Sequence, residues 1–327
     1  MAIYSRLHLH RLAIEESVRV QEVPSTQIDS QSRLNNYDLV RQLDIYKERR
    51  LPVRSQVLHY FDNHLYAGVW PGEVLVFTNE LEFKERFQVT DQEISIITTF
   101  QNKLIILQAD GLLTTIHNKH GHSTQIEGFA RGVFHSFLPL VLAQTQTGLA
   151  LYDFQEDKVL SNNPLLTSRP IAVHPAGATL LLSSRAGTSL LDLRTEQEEV
   201  SVPHRGTLLN GRFLSSGNEL VMSLSNKRLT TLDMRKLEAL SVTKTRSRPT
   251  VLHEFHNSLV YSGVDLYTRC VCPFTNQSLY AIPNESLAIT NSADTLFLSS
   301  AQVSLISIKP KDSKDYTSDP TNSITSI

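Results

Sequence analysis

Two consecutive copies of one unit between Pro170 and Arg235 constrain the fold of this chain more than any other feature. The first copy closes on Leu-Asp-Leu-Arg and the second on Leu-Asp-Met-Arg. Each contains an alternating apolar stretch, a tight turn, a dense apolar run and a polar turn, the pattern of successive antiparallel strands. Asp192 and Asp233 are 41 residues apart, within the roughly 40–45 residues of one four-stranded propeller blade.

The same unit can be followed along most of the chain. The polar turn that opens the third strand of each unit falls at Gly72, Gly111, Gly148, Gly187, Arg228, Tyr267 and Gln302, in steps of 39, 37, 39, 41, 39 and 35 residues. A short apolar run, typical of a buried second strand, precedes each turn. This periodicity predicts an all-β fold, a seven-bladed WD40-type β-propeller over residues 51–309.

The two ends of the chain do not follow the repeat. Leu39, Val40, Leu43 and Tyr46 have helical spacing, so residues 1–50 are predicted to form a short helical segment. The tail, residues 310–327, is polar and without strand pattern, which predicts disorder. The seventh unit lacks a fourth strand, and an exposed edge is unfavourable. We therefore expect Leu51–Arg54 to supply the outer strand that closes the ring.

Composition argues against several classes of protein. The formal net charge is -2 and there are two cysteines in 327 residues, so neither a global attraction to nucleic acid nor a disulfide framework is expected. No apolar run approaches the roughly 18 residues of a membrane span, and no signal peptide is recognised. The expectation is a soluble intracellular protein.

No motif indicates reaction chemistry. A Gly-rich phosphate loop and a nucleophile elbow are both missing from the sequence. His117, His120 and His122 could face a metal, but a turn between two strands is the favoured interpretation. We expect no catalytic residue, cofactor or metal and no small-molecule substrate. A propeller hydrolase with active-site residues pooled from several blades stays as an alternative of another class.

Blades of this type often contain a hydrogen-bonded His–Ser/Thr–Asp–Trp set. In the fifth unit, His204 with Ser223 or Ser225 could form part of such a set, although Leu232 occupies the tryptophan position. A net contribution of about 1 kcal/mol per hydrogen bond means that apolar packing can replace it.

Two basic clusters are the candidate contact residues. Lys244, Arg246 and Arg248 lie in the loop between the fifth and sixth units, and Lys47, Arg49, Arg50 and Arg54 precede the ring. Solvated charge is one interpretation. The other is contact with an acidic partner or with the phosphate backbone of RNA, not with its bases.

The N-terminal segment carries a resemblance. Val23-Pro24, Asp29, Arg33-Leu34, Leu43 and Glu48-Arg49-Arg50-Leu51 occur in an order that resembles the short motif preceding the propeller in the WD-repeat component of the U4/U6 small nuclear ribonucleoprotein, the pre-mRNA processing factor 4 type. Trp70-Pro71-Gly72 is similar to the Trp-Ser-Gly of that family's first blade. This chain lacks the family's long charged linker and most of its Trp-Asp pairs.

The resemblance implies a non-enzymatic scaffold in pre-mRNA splicing. By that likeness the protein would be nuclear, would dock a partner splicing protein, and would contact the small nuclear RNA indirectly or through its backbone. Glu48, Arg49 and Arg50 would then serve assembly, with Lys244, Arg246 and Arg248 as the second contact cluster. A scaffold role in ribosome biogenesis or in the nuclear pore is the alternative within the same class.

Overall fold

The computed structural model describes residues 43–310 except residues 90, 118–119, 196, 257 and 275–277. Within this part, 28 strands form seven antiparallel sheets of four strands each. The first strands of most neighbouring sheets contact one another, including those of the last sheet and the first, and an apolar cluster that contains Ile105 and Val141 joins the second sheet to the third. The sheets are therefore the blades of a closed seven-bladed β-propeller.

The strands follow one another along the chain in the order of the blades. Strand β1 (Leu43–Arg50) belongs to the last blade. Blade 1 contains β2 (Ser55–Phe61), β3 (His64–Val69), β4 (Glu73–Thr78) and β5 (Phe83–Gln88); blade 2 contains β6 (Ile94–Phe100), β7 (Lys103–Gln108), β8 (Leu112–His117) and β9 (His120–Gln125). Blade 3 contains β10 (Phe129–Phe134), β11 (Leu140–Thr145), β12 (Gly148–Asp153) and β13 (Lys158–Asn163).

The remaining blades have the same arrangement. Blade 4 contains β14 (Arg169–Val173), β15 (Thr179–Ser183), β16 (Thr188–Asp192) and β17 (Gln197–Ser201); blade 5 contains β18 (Leu208–Phe213), β19 (Glu219–Leu224), β20 (Arg228–Asp233) and β21 (Glu238–Lys244). Blade 6 contains β22 (Pro249–Phe255), β23 (Ser258–Gly263), β24 (Thr268–Val271) and β25 (Ser278–Ile282). Blade 7 contains β26 (Ser286–Asn291), β27 (Leu296–Ser300), β28 (Ser304–Pro310) and β1.

The blade count and the strand assignment from periodicity are confirmed. Each of the seven turns identified in the sequence lies at or just before the third strand of a blade. At Gly111 the reason for glycine is visible: its φ is +91°, and a Cβ there would lie 2.4 Å from Cβ of Phe129. Other residues rarely adopt this backbone conformation.

The closing strand is β1, which corrects the prediction for Leu51–Arg54. Leu43 pairs with Pro310 and Arg50 pairs with Ser304, so β1 covers the whole of β28. Leu51 follows the strand, is buried, and donates from its backbone N to the carbonyl of Val303 at 2.9 Å. Residues 51–54 are too short to cover β28, and Pro52 has no N–H to donate. They connect β1 to blade 1.

The helical prediction for the N-terminal segment is wrong where it can be compared with the structure. Leu43 and Tyr46 lie in β1. A short apolar pattern fits both the helical and the strand period. Hydrogen bonding to β28 favours the strand. Residues 1–42, which include Leu39, Val40 and most of the resemblance motif, lie outside the described residues, as does the tail from residue 311.

The core lies between blades. Between blades 7 and 1, Phe297 is fully buried and its ring stacks on Tyr60 with centroids 5.5 Å apart. Between blades 4 and 5, Leu181 packs with Leu220 and Met222. The apolar second strand of each blade therefore buries both of its faces against the adjacent blades, because a single sheet cannot cover its own faces.

Candidate interaction surface

The ring has two faces formed by different connections. One, here called the loop face, contains the connections between blades and the turns between second and third strands. A connection and the neighbouring turn hydrogen-bond to each other within a blade. The backbone N of Val202 donates to the carbonyl of Thr188 at 2.8 Å, and the backbone N of Thr245 donates to the carbonyl of Lys227 at 2.8 Å. The opposite side, the turn face, contains the remaining turns of each blade. Antiparallel pairing places the two sets at opposite strand ends.

The cluster predicted from the sequence between blades 5 and 6 lies on the loop face. Lys244 is the last residue of β21, and Arg246 and Arg248 follow in the connection to β22. All three are exposed, whereas the intervening Thr245 and Ser247 are buried. The alternation anchors the connection through small polar residues and directs the cations to solvent.

An exposed apolar turn lies beside this cluster. Val264, Leu266 and Tyr267, between β23 and β24, are 66%, 60% and 41% exposed. A Cβ on Gly263 would lie 2.4 Å from Oγ of Ser247, so this turn and the basic connection touch. We call Lys244, Arg246, Arg248, Val264, Leu266 and Tyr267 the blade 5/6 patch.

Glu48, Arg49 and Arg50 lie elsewhere, on the outer strand β1 of blade 7, and all three are exposed. Nη1 of Arg49 donates to the carbonyl of Leu81 at 3.0 Å, and its guanidinium carbon lies 5.6 Å from the ring centroid of Phe77. Arg49 therefore joins blade 7 to blade 1. The structure does not place this cluster on the blade 5/6 patch.

The repeated Leu-Asp-x-Arg endings have a structural role. Asp192 and Asp233 are buried at the ends of β16 and β20, and each accepts a hydrogen bond from the backbone N two residues later, at 2.7 and 2.8 Å. The guanidiniums of Arg194 and Arg235 complete each ion pair. The hydrogen bond from Arg235 lowers the pKa of Asp233 to about 2. The two carboxylates are buried and close the turns that follow β16 and β20.

Histidines join neighbouring blades, a role that the sequence did not reveal. His59 contacts Oγ1 of Thr99 at 3.1 Å, and His253 contacts Oδ1 of Asn291 at 2.7 Å. His204 contacts Oγ1 of Thr188 in blade 4 at 2.6 Å. This corrects the predicted partners in blade 5: Ser223 donates to the carbonyl of Pro249, and Ser225 accepts from the N of Thr207.

His117 is the last residue of β8 and His120 is the first residue of β9, so the two flank the predicted turn, whereas His122 lies within β9. All three are exposed. Nε2 of His122 lies 3.8 Å from Oδ2 of Asp157. Within the described ranges, no three His, Cys, Asp or Glu side chains are grouped as metal ligands.

A cleft of about 1120 Å³ opens on the loop face over blades 3, 4 and 5. It is lined by the connections on either side of blade 4 and by the turn between β15 and β16, and Arg169 and Arg185 are its cations. Burial, with a smaller contribution from the charge of Arg131, lowers the pKa of Arg169. No sequence motif indicates this cleft. If the seven repeats are aligned with one another, Arg169 and Arg185 fall at positions that belong to the loop face, and this signal could have indicated the cleft.

The described part of the chain contains no helix long and apolar enough to cross a membrane. No family model matches this sequence, and no curated protein matches it. The fold itself, seven four-stranded blades in a closed ring, is consistent with the WD40 superfamily and fits a protein-interaction scaffold.

Proposed function

We propose that this protein is a non-enzymatic scaffold in pre-mRNA splicing that docks a partner protein of a U4/U6-type small nuclear ribonucleoprotein in the nucleus. The observation that carries the docking role is the blade 5/6 patch, where exposed cations adjoin exposed apolar side chains. The splicing assignment rests on the N-terminal resemblance, through Val23-Pro24 and Glu48-Arg49-Arg50.

The composition of the blade 5/6 patch suits a protein partner. Arginine and tyrosine are enriched where binding energy concentrates, because they bury large area and also form hydrogen bonds. The Arg269 guanidinium carbon lies 5.2 Å from the ring centroid of Tyr267, and Arg269 also pairs with Asp265 at 2.6 Å. These contacts hold the tyrosine in place before a partner arrives, which lowers the entropic cost of binding.

The cations of the patch also suit a phosphate backbone. Lys244, Arg246 and Arg248 are exposed on one connection and its flanking strand. In the proposed particle they contact the small nuclear RNA through its phosphates, so that binding weakens as salt rises and does not depend on base sequence.

Affinity purification of the tagged full chain, with identification of bound proteins and RNA, tests the assignment. We expect splicing proteins together with U4 and U6 RNA. Recovery of pre-ribosomal or nuclear-pore proteins instead would overturn the splicing assignment in favour of another scaffold. Hydrolytic activity of the purified protein without a stable complex would overturn the scaffold itself.

Two charge-matched variants locate the surface. Lys244→Gln, Arg246→Gln and Arg248→Gln together should reduce recovery of the complex. Lys103→Gln, Lys158→Gln and Lys236→Gln remove the same charge at strand ends and turns of the turn face and should leave recovery unchanged. Equal recovery with both triple variants would exclude the patch as the docking surface.

A further inference from the structure

The cleft over blades 3 to 5 differs chemically from the rest of the loop face. Its described lining contains Arg169, Arg185 and His204 but no aspartate or glutamate. Hydroxyl groups make up much of the remaining lining, from Thr167, Ser168, Ser183, Ser184, Thr188, Ser201 and Thr207. Guanidinium and hydroxyl groups are donors suited to carboxylate oxygens.

Among the described side chains, no carboxylate forms an ion pair with the arginines of the cleft, Arg169 and Arg185. Arg169 is half-buried at the start of β14, and Arg131 on the adjacent inner strand β10 repels it. A partly desolvated cation beside a like charge is unfavourable in the isolated protein. An anion in the cleft relieves this cost.

Charge is segregated across the loop face. Asp91, Asp110 and Glu127, in the connections and turn around blade 2, are exposed. Arg185 and Arg205, in the turn and connection of blade 4, are also exposed. The exposed acids therefore lie around blade 2, and the exposed cations lie around blade 4 and in the blade 5/6 patch. This separation orients an approaching acidic partner.

Several features favour an acidic peptide over a nucleic acid. Single-stranded nucleic acids bind by stacking bases on aromatic side chains. The described exposed aromatics of the loop face, Trp70 and Tyr267, belong to blades 1 and 6. Leu165 is a large apolar residue of the cleft lining and is 88% exposed. An aliphatic contact beside guanidiniums matches a peptide in which Asp or Glu alternates with Leu.

We propose that this cleft binds an acidic, leucine-containing segment of a partner protein. Arg169 and Arg185 contact its carboxylates, and Leu165 contacts an aliphatic side chain. The proposal rests on the scaffold function and names the chemistry of one partner segment. It is separate from the blade 5/6 patch, so either surface can fail without the other.

Fluorescence anisotropy with the full chain and a short fluorescein-labelled peptide of Asp, Glu and Leu tests the proposal. We expect binding that weakens with salt and falls about tenfold or more in the Arg169→Gln, Arg185→Gln variant, equivalent to about 1.4 kcal/mol. Lys103→Gln, Lys236→Gln is the charge-matched control and should bind as the wild type does. Leu165→Ser should weaken binding without removing the salt dependence.

Three results would overturn the proposal: equal affinity of the arginine variant and its control, equal affinity for a peptide with Lys in place of the acids, or tighter arginine-dependent binding of oligouridylate RNA. Thermal unfolding of each variant shows that the ring is intact, and Arg169→Lys, Arg185→Lys should recover part of the affinity. If the wild-type chain does not bind the peptide while the purified complex is recovered as expected, the cleft proposal alone is refuted.

Discussion

Arg49 and Arg50 are adjacent in the sequence but have different environments. Arg49 donates to Leu81 at 3.0 Å and lies over Phe77, whereas Arg50 is an exposed residue at the end of β1. The resemblance gave both the same assembly role. By these contacts, Arg49 joins two blades, whereas Arg50 is available to a partner.

Arg49→Gln should lower the free energy of unfolding by about 1 kcal/mol, because it removes one hydrogen bond and one cation–π contact. Urea unfolding followed by circular dichroism measures the change. Arg50→Gln removes the same charge one residue away and should leave stability unchanged. Equal effects of the two variants would contradict the inter-blade role of Arg49.

The inter-blade histidines should make stability depend on pH. Burial lowers the pKa of His253 to about 3, with a smaller contribution from the charge of Arg212, and burial lowers that of His59 to about 4. In the unfolded chain a histidine pKa is about 6.5. Stability is therefore full above about pH 6.5 and falls below it, as the unfolded chain binds protons first.

His253→Gln should make the decline in stability between about pH 6.5 and about pH 5 shallower, by up to about 1.4 kcal/mol per pH unit. Denaturant unfolding at a series of pH values measures the slope. His120→Gln, at an exposed position, should retain the wild-type slope. An unchanged slope in His253→Gln would mean that this histidine is protonated in the folded ring.

Strand β1 is the element on which closure of the ring depends. It pairs with β28 along its whole length, and Nζ of Lys309 in β28 lies 3.1 Å from Glu80 in blade 1 and 3.9 Å from the ring centroid of Tyr46. Without β1, the backbone groups on the outer edge of β28 would lose their hydrogen-bond partners, while its pairing with β27 would stay. The strand thus satisfies an edge and joins the last blade to the first.

A truncation that removes residues 1–50 should lower the melting temperature far more than one that removes residues 1–42. The difference between the two isolates the contribution of β1, because both lack the same preceding residues. Differential scanning calorimetry measures it. Similar melting temperatures for the two truncations would show that the ring closes without this strand.

Periodicity predicted the blades and the need for an outer strand from the N-terminal side of the ring, but it did not identify the residues of that strand. The seven turns, spaced by one blade each, come from local strand patterns that the sequence displays directly. The pairing of β1 with β28 joins segments at opposite ends of the chain, and the spacing of Leu43 and Tyr46 is compatible with a helix. Local pattern cannot choose between these periods, so long-range hydrogen bonding decided the outcome.

The candidate sites divide in the same way. The loop position of Arg246 and Arg248 follows from the repeat register, and their exposure agrees with it, while their contact role stays a prediction. The cleft depends on the relative position of Arg169 and Arg185, which come from a strand and a turn of one blade. The alternation of apolar residues does not predict where the side chains of these two arginines point.

At the scale of the whole molecule, the core is a circle of similar seams between blades. Phe297 is fully buried between blades 7 and 1, and Leu181 is fully buried between blades 4 and 5. Each blade relies on both neighbours for its apolar cover. Loss of one seam therefore exposes surface on the next, and the ring should unfold as a unit.

Phe297→Ala should cost about 3–5 kcal/mol and Leu181→Ala about 2–5 kcal/mol, since both leave cavities in a packed core. Both should shift the same single unfolding transition, observed by circular dichroism and by fluorescence of Trp70, the one tryptophan of the chain. Phe83→Ala, on an outer strand where Phe83 is 47% exposed, should cost less. If circular dichroism and Trp70 fluorescence reported different unfolding transitions, parts of the ring would unfold independently.

The pairing of Leu43 with Pro310 sets where appended segments emerge. Paired strands are about 5 Å apart, so the described part of the chain begins and ends side by side at the turn-face end of blade 7. Cargo joined at Leu43 or at Pro310 would be attached at this one point of the ring. A propeller anchored there would keep its opposite side, with the basic cleft, open to incoming molecules.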